Sequence, residues 1–146
     1  MPIEMTSDPE TAAELPPRSV WTALKRGMAC RCPACGKGRL FRGYLTVADS
    51  CDACGEDLTA QRADDAPPYF TIVVVGHIMV PLVLMVERNY APAIWLQMAV
   101  WIPLTILLSL FFLRPIKGMV VGYQWASYMH GFDTRSRADG AAEPAE

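Results

Sequence analysis

Two short runs, Cys32-Pro33-Ala34-Cys35-Gly36 and Cys51-Asp52-Ala53-Cys54-Gly55, decide how the first half of this 146-residue chain folds. Fifteen residues separate Cys35 from Cys51, the spacing of two knuckles that share one metal ion. A two-residue gap closed by a turn brings both sulfurs of a pair to one side. Each pair then supplies half of a tetrahedron with metal–sulfur bonds of about 2.3 Å. The glycine after each second cysteine permits a positive φ, so that backbone N–H groups can turn toward the sulfurs. Zn²⁺ is the expected cofactor, with Cys32, Cys35, Cys51 and Cys54 as ligands, and iron is the alternative metal. Four thiolates around Zn²⁺ fill every position, so the site is expected to be structural rather than catalytic. They also leave a net negative charge, which the nearby Arg31, Lys37, Arg39 and Arg42 would offset.

Other chemistries compete for the same thiols. Two disulfides would need an oxidising compartment. A thiol-redox pair would sit at a helix start in a βαβ setting, and no such pattern occurs in the sequence. Cys30 lies two residues before Cys32 and out of register with the knuckles. It reads as a spare thiol, or, in the rival reading, as the working thiol of a membrane-tethered thiol oxidoreductase or copper chaperone that also uses the Cys-x-x-Cys pairs.

Outward from the knuckles, Arg39-Leu40-Phe41 and Tyr44-Leu45-Thr46-Val47 resemble two short strands joined at Arg42-Gly43. Residues 30–62 therefore read as a zinc-ribbon-like β-hairpin module. Upstream, 18–29 reads as a short helix with Ser19 as N-cap and Gly27 near its stop. Its Trp21, Lys25 and Arg26 suit a lipid interface, and packing on the cysteine module is the alternative. Charge is patterned around these elements. Residues 1–17 hold four acids and no base, 18–48 seven bases and no acid, and 49–65 six acids and one base. A basic block beside a bilayer is drawn to anionic headgroups. Residues 1–17 and 132–146 read as disordered tails. The N-terminus lacks the basic and apolar regions of a signal peptide.

The second half is a different kind of sequence. Residues 69–86 are eighteen without formal charge, and 92–113 are twenty-two. At 1.5 Å per residue the shorter run extends for about 27 Å, enough to cross a hydrocarbon core. The polar turn 87–91 joins them, Asp64-Asp65-Ala66-Pro67-Pro68 opens the first, and Arg114-Pro115-Ile116-Lys117 stops the second. The expected fold class is a membrane protein: the cysteine module, a two-helix transmembrane hairpin, and an interfacial helix over 114–131. Basic residues cluster outside the hairpin turn, so both termini are expected on the cytoplasmic side of a bacterial inner membrane. Gly118 and Gly122, four apart, read as weakening the last helix, with close packing as the alternative.

His77 falls near the middle of the first span, where an ionisable group is a functional candidate. Structural packing, partner contact and haem ligation are its readings, with Gln97 as its candidate hydrogen-bond partner inside the hairpin. Pro81 and Pro103 should kink or loosen the spans. Two spans are few for a transport path. Neither a nucleophile–base set nor a phosphate-cradling glycine loop is present in the sequence. Nucleic-acid binding by the basic module is disfavoured by the anchor. The expected partner-binding residues are Arg39, Phe41, Arg42 and Tyr44 on an exposed basic face, together with His77.

The run Arg31-Cys32-Pro33-Ala34-Cys35-Gly36-Lys37-Gly38-Arg39-Leu40-Phe41-Arg42-Gly43-Tyr44-Leu45, then Cys51 to Gly55, two apolar spans and Leu113-Arg114-Pro115-Ile116-Lys117-Gly118, resembles domain-of-unknown-function family 983 over about residues 20–130. The four knuckle cysteines match its pattern and Cys30 does not. The family has no established activity. Its genes often neighbour those for haem-copper oxidase subunits and their assembly factors. The resemblance thus implies a non-enzymatic inner-membrane accessory protein that assists assembly of a respiratory oxidase, with the bilayer and that complex as partners.

Overall fold

The computed structural model describes residues 16–63 and 65–133. The tails expected over 1–17 and 132–146 lie almost wholly outside them. Three helices occur among the described residues: α1 (Val20–Met28), α2 (Ala66–Tyr90) and α3 (Ile94–Ala126). Ser19 caps α1, its hydroxyl accepting from the Thr22 N–H at 3.3 Å. Pro residues in the first turn of α2 fit there because those positions have no intrahelical N–H partner to lose. α2 ends at Ala91, which adopts the left-handed conformation and donates its N–H to the Glu87 carbonyl at 3.0 Å. The turn between the long helices is thus only 91–93, because the polar residues at 87–90 extend α2 instead of leaving it.

α2 and α3 are both long and apolar enough to cross a membrane. α2 turns one narrow stripe, Pro67, Thr71, Val75 and Met79, inward at four-residue spacing. Most other apolar side chains on the two helices face outward; Ile72 and Phe111 are 69% and 70% exposed. A water-soluble bundle would bury such side chains, each worth about 1.5–3 kcal/mol.

The separate interfacial helix expected over 114–131 does not form. α3 runs unbroken through Pro115 to Ala126, and its last three turns bury Ile116, Gly118, Val121, Gly122, Gln124 and Ala126. Proline in a helix interior removes a hydrogen bond at about 3 kcal/mol. Burial of the apolar residues just beyond offsets that loss. This segment is the centre of the cysteine module: Val121 joins Leu40, Phe41, Val47, Leu58, Ala63 and Phe132 in one core. Phe132 is 3% exposed, so the ordered chain extends past the expected start of the C-terminal tail.

α1 crosses α3 at very close range. A Cβ on Gly122 would lie 2.4 Å from the Ala23 carbonyl oxygen, so Gly122 admits the neighbouring backbone. The expectation that these glycines merely weaken the helix is thereby corrected. α1 buries Ala23 and Gly27 against α3, while its Trp21 stays exposed.

No strand forms among the described residues, and the expected β-hairpin reduces to isolated antiparallel bridges, Phe41 with Val47, Arg31 with Arg39 and Ser50 with Asp57. The reason is local. The chain between Phe41 and Val47 closes at once, with the Arg42 N–H donating to the Thr46 carbonyl at 2.9 Å. The other segments give their backbone groups to the knuckles, leaving no room for a ladder.

Candidate metal centre

The two knuckles are built alike. Gly36 donates its N–H to the Cys32 carbonyl at 2.8 Å, and Gly55 to the Cys51 carbonyl at 2.9 Å. Both glycines take left-handed φ values, 71° and 73°, which a side chain would resist. The chain beyond each second cysteine closes the loop: the Cys32 N–H reaches the Gly38 carbonyl at 2.9 Å, and the Cys51 N–H the Glu56 carbonyl at 2.8 Å. Backbone N–H groups also point at sulfur, Lys37 at Cys35 Sγ and Ala53 at Cys51 Sγ, each 3.4 Å away.

These turns bring the four Sγ atoms within 4.8 Å of one another. Cys32 and Cys54 stand 3.8 Å apart, as do Cys35 and Cys51. A tetrahedron with bonds of about 2.3 Å has edges of about 3.8 Å, so the sulfur set fits a tetrahedral thiolate-bound ion. A disulfide would need about 2.05 Å, and all five cysteines are free thiols. Cys30 is not part of the cluster.

The environments of the sulfurs differ. Burial pushes the Cys32 thiol up to about 12. The N–H groups of Gly38 and Lys37 stabilise the Cys35 thiolate and lower its pKa to about 6. Cys54 is exposed as a residue, yet desolvation of its inward-turned sulfur raises it above its ordinary value. A bound cation would override these differences by favouring thiolate at every position.

Two arginines outside the expected ligand and partner sets fasten the module, and Arg26, one of the residues that suited a lipid interface, packs on the knuckles instead. Arg26 of α1 donates to the carbonyls of Pro33 and Ala34 at 3.1 and 2.7 Å, gripping the first knuckle from behind. Arg18 stacks against Trp125 and Tyr128, 4.1 Å from each ring centroid, and donates to the Trp125 carbonyl at 2.8 Å. Trp125 in turn donates its indole N–H to Glu56, in the second knuckle, at 2.9 Å. Gln124 reaches back to the Arg62 backbone with both ends of its amide, at 3.1 and 2.9 Å. The only sequence signal for Arg18 was its place in the basic block; its aromatic partners lie more than one hundred residues away.

The expected partner face is only partly free. Arg39 is exposed, and Arg42 is exposed and pairs with Asp49 at 2.8 Å. Phe41 is 5% exposed and belongs to the core, which corrects its placement on a docking face. Tyr44 is exposed, but its hydroxyl donates to the Leu110 carbonyl of α3. His77 lies exposed on α2, its Nδ1 2.8 Å from the Val73 carbonyl of its own helix. Gln97 does not meet it; Gln97 donates to Glu87 and the Pro92 carbonyl across the hairpin turn.

The sequence signature of the family described as "Protein of unknown function (DUF983)" matches residues 41–125, more than half of the chain. The match takes in the second knuckle and both long helices and begins after the first knuckle. Comparison with curated proteins and with solved structures returns no match.

Proposed function

The chain belongs to the DUF983 family, and from that premise we propose that it is a non-enzymatic membrane accessory protein whose cysteine module holds a structural Zn²⁺. α2 and α3 form a transmembrane hairpin in a bacterial inner membrane, with both termini on the cytoplasmic side. The observation that carries this reading is the continuity of α3, which is apolar and outward-facing over its first part and the core of the cysteine module over its last turns. A helix shared in this way fixes the module's height and orientation at the bilayer surface. That suits a rigid docking element for a membrane complex.

The four sulfurs would hold the ion in a closed shell, and its contribution would be to tie the two knuckles together rather than to activate a substrate. Assistance in assembling a haem-copper oxidase is the specific role, supported by the family resemblance alone. The exposed Arg39 is the residue on the module best placed to meet such a partner. The rival reading, thiol or copper chemistry through Cys30, is weakened by the position of Cys30 outside the sulfur cluster.

Pulldown of the full-length chain in mild detergent tests the role. Recovery of oxidase subunits or their assembly factors is the expected result. Recovery of RNA or ribosomes alone would defeat it.

A further inference from the structure

Between the end of α1 and the middle of α3 lies a groove of about 400 Å³, lined by Met28, Ala29, Tyr44, Leu110, Phe111 and Arg114 among others. Its position along α3 is informative. Arg114 is the first charged residue after the uncharged run, twenty positions beyond Ile94, hence about 30 Å along the helix axis. That distance equals the thickness of a hydrocarbon core.

Arg114 is also incompletely satisfied. Its Nε is buried and has no hydrogen-bond partner among the described residues. One face of the guanidinium is covered by the Phe41 ring, 5.5 Å away. Leaving a buried charged donor unpaired is unfavourable, and an anionic oxygen is its natural complement. The rest of the wall is largely apolar, with Met28, Leu110 and the 70%-exposed Phe111 in line with the outward face of α3. Charge at one end and a greasy wall leading away from it are the two parts of a phospholipid.

We infer that this groove seats the phosphate of an anionic phospholipid, with Arg114 as its ligand and an acyl chain running along Leu110 and Phe111. The inference rests on the transmembrane reading of α2 and α3. A lipid held here would lie beneath the cysteine module, at its junction with the spanning part of α3. It would fill the space between α1 and α3 that the protein itself leaves open.

The test uses the full-length chain in mild detergent with equal amounts of phosphatidylglycerol and diacylglycerol, which has the same acyl chains but no phosphate, read by native mass spectrometry. The wild type is expected to retain phosphatidylglycerol with about tenfold preference, the worth of a hydrogen bond to a charged group. Arg114→Gln should abolish the preference, and Arg39→Gln, at a separate groove, should keep it. Ala29→Glu places a negative charge on an exposed position of the groove wall and should abolish it without disturbing Phe41. Equal retention of the two lipids by the wild type, or an undiminished preference in both groove variants, would overturn the inference. Displacement of the lipid by millimolar inorganic phosphate would overturn it in favour of a soluble phosphate ligand. Carbonate extraction of membranes separates the two levels. Wild type that stays in the pellet without lipid preference refutes only the groove, whereas wild type released to the supernatant refutes the transmembrane reading itself.

Discussion

Gly27 of α1 and Gly118 of α3 meet backbone to backbone: a Cβ built on Gly118 would lie 2.1 Å from the Gly27 carbonyl oxygen. α1 carries Arg26, which holds the first knuckle, and α3 carries the hairpin's second apolar run. The contact therefore links the cysteine module to the long helices through two positions that lack side chains.

Gly118→Ala sets two effects against each other. Alanine favours a helix over glycine by about 1 kcal/mol. The clash is with backbone, which cannot swing aside, and overpacking of this kind costs about 1–3 kcal/mol. The clash is expected to win, so Gly118→Ala should melt at lower temperature in detergent than the wild type. Gly76→Ala, where a Cβ meets nothing within 4 Å, should melt at the same or higher temperature. A higher melting temperature for Gly118→Ala would contradict the close crossing.

Cys30 owes its place to the end of α1. Ala29 is the C-cap, Cys30 donates to the Gly27 carbonyl at 2.8 Å, and Arg31 donates to the Arg26 carbonyl at 2.9 Å. This is the Schellman arrangement, in which the residue after the cap is usually glycine. Cys30 occupies that position with φ at 58°. Cys30→Gly should raise stability by up to about 1 kcal/mol, since relief of left-handed strain outweighs the added freedom of the unfolded chain. Its metal content should be unchanged. Loss of bound metal in this variant would restore Cys30 to the site.

The thiol environments predict an order of alkylation after brief removal of metal by a chelator. The Cys35 pKa of about 6 makes it mostly thiolate at neutral pH, whereas Cys32, near 12, stays protonated. Labelling of Cys35 should rise as pH passes upward through about 6 and then level off, and Cys32 should remain the slow site to pH 10. The linkage has opposite signs. The depressed Cys35 pKa gives the metal-free fold stability above the ordinary thiol range that is lost as pH falls through about 6, and the raised Cys32 pKa gives stability that is lost as pH rises toward about 12. Peptide mapping by mass spectrometry reads the order, and faster modification of Cys32 than of Cys35 at pH 7 would contradict it.

What the sequence revealed was local. Each knuckle is set by residues within six positions of one another, so the Cys-x-x-Cys-Gly runs announced their turns and their glycine φ values directly. The two long helices were equally legible, since apolar length needs no knowledge of neighbours. The path of α3 was not. Arg114, Pro115 and Lys117 read as a stop, and only the distant Leu40, Leu58 and Phe132, which share a core with Val121, explain why the helix continues. Phe41 misled for the same reason. In sequence it sits with Tyr44 on a basic segment that looks exposed, yet Phe41 packs in that core, while Tyr44 is exposed and its hydroxyl bonds to the Leu110 carbonyl, sixty-six positions away.

Cys32, Cys35, Cys51 and Cys54 are proposed to bind one metal ion in a closed shell that ties the module together. X-ray absorption at the zinc edge of the purified full-length chain is the decisive measurement. The expected result is one zinc per chain with four sulfur neighbours at about 2.3 Å and no lighter ligand. A shell containing oxygen or nitrogen would mean an open site capable of chemistry, and a metal-free chain with paired disulfides would refute the metal centre altogether.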